Sequence, residues 1–179
     1  MLGPTLRIRS VLRDRLAPSD LRAFLVERVQ RGVAAGQADP VVLVVRERTL
    51  DAIDLGEIRA TGLPLAWFVA GLTTSSTTAG GEALAVGVSG RLTRRRTGTQ
   101  ALETCATVFL EWEDGRWWQW AAALDDGGSM DPATVEVRGA EAGDPLPEGL
   151  GRWWSTGRRH GVSLGLRALA PDPTGGMEQ

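Results

Sequence analysis

His160 and Cys105 are the only histidine and the only cysteine in the chain, so any acid–base or nucleophilic chemistry would start with them. His160, in GRRHG, belongs to the one residue type whose ordinary pKa lies near neutrality, which suits a general base. A base needs a positioned partner, and no nucleophile or carboxylate stands at a recognisable spacing from it. Cys105 falls on an expected strand, on the same face as Phe109. There a small buried core thiol is a commoner fate than a nucleophile activated by His160. No catalytic residue is assigned.

Metal and phosphate chemistry find no better footing. One His and one Cys cannot complete the usual zinc sets. LDDGGSMDP (124–132) lacks the alternating acids and closing glutamate of a calcium loop, so Asp125, Asp126 and Asp131 read as turn residues. Without lysine no GxxxxGK[ST] loop can form, and no GxGxxG sits between a strand and a helix. GVSG (87–90) lacks the flanks of a serine-hydrolase elbow. No metal or cofactor is expected.

Two features suit recognition instead. Arg94, Arg95 and Arg96 lie between two expected strands and could hold phosphates or an acidic partner through forked hydrogen bonds. Yet every basic residue except His160 is arginine, while lysine, asparagine and tyrosine are absent, as a GC-rich bacterial genome would produce without selection for arginine. A formal net charge of −2 adds no general pull towards nucleic acid or an anionic membrane. A solvated turn is the plainer reading of this run.

The second feature is EWEDGRWWQW (111–120), which holds four of the seven tryptophans. Asp-Gly between two alternating runs is a strong hairpin signal, because both residues tolerate positive φ. With a two-residue loop, Glu113 faces Arg116, Trp112 faces Trp117, Glu111 faces Trp118 and Phe109 faces Trp120. Val108, Leu110, Trp112, Trp117 and Ala121 then share the face that reads as core. Phe109, Trp118 and Trp120 share the other, with Glu111, Glu113 and Arg116 nearer the turn. Those three aromatics must lie under the chain's own helix or loop, or meet a partner.

Periodicity supplies the elements that place these residues. Pro18, Ser19 and Asp20 open a helix, with Ser19 as its cap. Leu21, Phe24, Leu25, Val29 and Val33 share one face, and Gly36 is the stop. Residues 5–16 fit a strand or a helix. VVLVVR (41–46) reads as a strand covered on both faces, 49–58 as a mixed stretch with one short helical turn, 65–70 as a strand and 73–81 as a loop. Next, bulky Leu84, Val86, Val88 and Leu92 alternate with small Ala83, Ala85, Gly87 and Ser89, so a second layer could approach closely. The following strand runs from about Leu102 to Glu113, and a short one from Thr134 to Arg138. Pro147 opens a helix bearing Leu150, Trp153 and Trp154, which ends near Gly161, and Val162, Leu164 and Leu166 alternate as a last strand.

The sum is one α+β domain over 1–170 with a polar tail at 171–179. It is a mainly antiparallel twisted sheet of about five to seven strands, with a long N-terminal helix and a shorter C-terminal helix. The N-terminus carries charges where a signal peptide needs an apolar stretch, and a single cysteine allows no intrachain disulfide. The longest strongly apolar run, 63–72, is about half the roughly 20 residues of a membrane span, so a cytoplasmic location is expected. By elimination the expected function is a non-catalytic protein–protein interaction or accessory module in a bacterial cytoplasmic assembly. Its contact residues would be Phe109, Trp118, Trp120, Arg116, Arg94, Arg95 and Arg96, and the reading allows a homo-oligomer. Two alternatives stand behind it: a small-molecule-binding or enzymatic domain with a pocket between sheet and helix, and weak nucleic-acid binding through the three arginines.

Overall fold

The structure is a computed structural model that describes residues 8–12, 20–62, 83–95 and 101–140. The strand and loop expected at 65–70 and 73–81, the C-terminal helix and the last strand lie outside these residues. So do Ser19, Arg96 and His160.

Among the described residues seven strands form one sheet, and every neighbouring pair is antiparallel. Strand β1 spans Ile8–Leu12, β2 Val41–Val45, β3 Thr49–Asp54, β4 Ala85–Arg95, β5 Leu102–Trp112, β6 Trp117–Ala123 and β7 Glu136–Ala140. Their spatial order is β1-β3-β2-β4-β5-β6-β7. Helix α1 (Asp20–Ala34) lies across β4 and β5, and the short α2 (Leu55–Ala60) follows β3 directly. Asp54 caps α2 by accepting the Glu57 N–H at 3.1 Å. The chain is therefore an α+β protein.

Helix α1 forms where the apolar spacing places it. Leu21, Leu25 and Val29 are buried, while Phe24 and Val33 pack at the margin of the same cluster. The chain leaves the helix through paired bonds, Gly36 N–H to Val33 C=O at 3.0 Å and Gln37 N–H to Gly32 C=O at 2.7 Å. That pattern satisfies carbonyls which the last turn would otherwise orphan. The helix packs on the small-residue side of β4, with Ala85 in its cluster and Gly87 paired to Leu43 and Leu110. Small side chains in that row let the helix approach the sheet closely.

Strand β4 is longer than its neighbour β2, and Gly90 marks the end of their pairing. Its φ is +130°, and a Cβ there would come within 2.7 Å of the Pro40 Cα. Beyond Gly90 the burial pattern changes from six buried residues to alternating exposure.

Strand β3 is the element that periodicity missed. TLDAID carries an aspartate at its third position, a poor strand former, yet residues 50–53 are all buried. Arg46 resolves the conflict: its Nε lies 3.0 Å from the Asp51 carboxylate, with the two side chains 1% and 8% exposed. Across the β2–β3 hairpin, Arg46 N–H also donates to the Thr49 carbonyl at 2.8 Å. A buried charge pair adds little net stability, but removing one member strands the other in a medium that penalises lone charge. Asp51→Ala should therefore lower unfolding free energy by about 3–5 kcal/mol in a denaturant titration, while Arg46→Met with Asp51→Leu should cost far less.

Candidate functional site

The β5–β6 hairpin is where the structure departs most from the expected geometry. The loop has three residues, Glu113, Asp114 and Gly115, closed by Trp112 N–H to Arg116 C=O at 2.8 Å and Gly115 N–H to Trp112 C=O at 3.0 Å. Gly115 has φ +89°, which ends the turn in the left-handed region. Asp114 holds the loop from inside: its carboxylate accepts the Arg116 backbone N–H at 3.0 Å and the Arg116 Nε at 2.7 Å. Those bonds, the backbone one foremost, hold the exposed Asp114 carboxyl below its usual pKa.

One added loop residue shifts the strand pairing by one, and that changes sides. Leu110 now faces Trp118, Val108 faces Trp120, Glu111 faces Trp117 and Phe109 faces Gln119. Trp118 and Trp120 join Val108 and Leu110 in the cluster beneath α1, with Trp112 at its margin. Trp117 moves to the opposite face beside Phe109, their ring centroids 6.2 Å apart. The expected grouping of Phe109 with Trp118 and Trp120 on one face is thus corrected, and of the two fates open to them, cover by the chain itself or a partner, the first is the one observed. Phe109, Trp118 and Trp120 are 0%, 8% and 5% exposed, which makes them core residues.

The expected arginines are scattered rather than gathered. Arg94 sits near the far end of β4, its Nε 2.7 Å from Glu103 and its Nη1 3.6 Å from Glu136. Partial burial works against its charge, but the Glu103 hydrogen bond and neighbouring carboxylates outweigh that and raise its pKa. Its guanidinium is therefore engaged by carboxylates, while Arg95 is exposed at the strand's end. Arg116 lies at the hairpin tip, on the other side of the sheet's length.

Cys105 is buried in β5 on the Phe109 side. Burial pushes its thiol pKa up, with nearby Arg94 only partly opposing it, so the nucleophilic thiolate is disfavoured. No cluster of three or more His, Cys, Asp or Glu among the described residues is placed to hold a metal ion. No helix among them is long and apolar enough to cross a membrane.

What the structure does assemble is the hairpin tip. Arg22 of α1 lays its guanidinium over both Trp112 and Trp118, at 5.4 and 5.3 Å from the ring centroids, and Arg116 lies 5.9 Å from Trp112. The half-buried Trp112 is thus flanked by two cations, each within the range of cation–π attraction. The Leu84 carbonyl accepts the Glu113 N–H at 3.0 Å, which ties the entrance of β4 to the loop. Leu84, Trp112, Glu113 and Asp114 line an open recess. Of these residues, Arg116 and Trp118 were the ones expected as contacts from the sequence. Arg22 sits off the apolar stripe of α1 and carries no mark of its target, because the indoles it covers depend on the pairing register.

No protein-family model matches the sequence, no curated protein is significantly similar to it, and no solved structure matches the chain.

Trp118→Ala should behave as a core truncation and cost about 3–5 kcal/mol of stability in chemical denaturation. Loss of a partner with unchanged stability would contradict its place under α1. Cys105 should resist alkylation in the folded chain and react once denaturant is added. As pH rises, the unfolded chain loses the thiol proton first, so the stability held below the ordinary thiol range should decline through and above it. Denaturation midpoints of wild type and Cys105→Ala across that range check the sign.

Proposed function

We propose that the chain is a non-catalytic interaction module that docks another protein, in the cytoplasm of a bacterium, through the β5–β6 hairpin tip. The carrying observation is the tip's composition: an indole between two guanidinium groups, beside Leu84, which is 40% exposed. Tryptophan and arginine are the residues on which binding energy concentrates at protein interfaces. Glu113 and Asp114 on the rim add acidic groups that can pair with donors of the partner. The composition supports the bacterial setting.

A loop braced by Asp114 and by the Leu84 carbonyl presents this surface with little ordering left to do on binding. Phe109 on one face of the sheet and Trp118 and Trp120 on the other contribute by fixing the strands, since their rings are interior.

Affinity capture of the tagged chain from its native host, read by quantitative mass spectrometry, tests the proposal. Trp112→Ala with Arg116→Glu should reduce recovery of a specific protein about tenfold or more, with cooperative unfolding retained. An Arg95→Ala control should retain it. Unchanged recovery in the tip variant would remove the hairpin from consideration.

A further inference from the structure

Strand β7 ends the sheet: among the described strands it pairs with β6 alone. Every other residue of such a strand directs its backbone N–H and C=O away from the sheet, a ready template for another strand. The edge is accessible, because Val137 is 62% exposed and Arg138 and Gly139 are exposed as well. Edge strands are commonly guarded by charge, and β7 carries Glu136 and Arg138 on the face opposite Val137. A guard of one sign would repel a second copy. Here the signs are opposite and sit symmetrically about Val137.

We propose that β7 is the contact strand of a homodimer, two copies pairing antiparallel about a two-fold axis at Val137. In that register each Glu136 stands directly opposite Arg138 of the second copy, twice over, and the two Val137 side chains meet. Neighbouring registers are selected against. An axis at Arg138 sets arginine against arginine, and an axis at Glu136 sets glutamate against glutamate; like charges directly opposite are destabilising. The present contact between Arg138 and Glu136, at 2.8 Å with side chains 45% and 40% exposed, is a solvated pair that can be exchanged across the axis. On the other face, Val137 is 62% exposed and continues the row that Trp120 begins, because the two are paired. Pairing would bury this valine in each copy. Such self-complementarity is what an isologous interface requires. The surface is separate from the hairpin tip, and neither proposal needs the other.

Sedimentation velocity of the full chain over a concentration series tests the dimer. The wild type should show a concentration-dependent monomer–dimer equilibrium that weakens with salt. Arg138→Glu alone and Glu136→Arg alone each set like charges opposite and should weaken self-association about tenfold or more. Mixing the two variants restores opposite charges at both positions and should restore dimers. Val137→Asp, at an exposed position, should also yield monomers, with the circular dichroism spectrum unchanged. A wild type that stays monomeric, with the edge left to an extended segment of some other protein, would overturn the proposal. So would single variants that dimerise normally, or a mixture that stays monomeric.

Discussion

One backbone constraint organises the middle of this molecule: the chain reverses through three residues, with Gly115 in the left-handed region at φ +89°. Adding a side chain there costs about 1–2 kcal/mol, which is why glycine stands at that position. A loop of three rather than two sets Leu110 against Trp118 and Val108 against Trp120. From that register follow the two indoles beneath α1, the stacking of Arg22 on Trp112 and Trp118, and the pairing of Trp117 with Phe109. Burial of each large aromatic contributes about 1.5–3 kcal/mol, so the turn indirectly commits much of the core.

The helix and sheet meet because β4 turns its small residues towards α1. Ala85 lies in the shared cluster, while the bulkier Val86 and Val88 are buried on the other side. Two backbone polar demands are met within this layer. Thr107 donates its hydroxyl to the Trp120 carbonyl at 3.0 Å, and the α1 C-terminus closes its own carbonyls through Gly36 and Gln37. Elsewhere among the described residues, the buried Trp117 Nε1 and Thr49 Oγ1 have no hydrogen-bond partner. A donor left in this way costs free energy, and for Trp117 the ring's contact with Phe109 offsets part of it.

Much of this fold was legible in residue periodicity, because burial imposes it. The apolar stripe of α1, the Gly36 stop, the doubly buried β2, the two-sided β4 and the strand starting at Leu102 each follow from local pattern. What escaped depends on partners distant in sequence or on one backbone angle. Strand β3 was hidden because Asp51 is tolerable only beside Arg46, across the hairpin. The register was missed because Asp-Gly serves two-residue and three-residue turns alike, and composition does not distinguish them. A shift of one residue then reversed the sides of three tryptophans, and with them the surface on which a partner was sought. The hairpin tip was only partly visible, through Arg116 and Trp118, because Arg22 and Leu84 reach it from other elements.

The pairing register of β5 and β6 is the claim on which the core, the tip and the placement of every indole in this segment rest. Interstrand nuclear Overhauser contacts in the isotope-labelled chain read it directly. The structure predicts backbone contacts between Leu110 and Trp118 and between Val108 and Trp120. Contacts joining Glu111 to Trp118 and Phe109 to Trp120 would establish a two-residue loop and contradict the account.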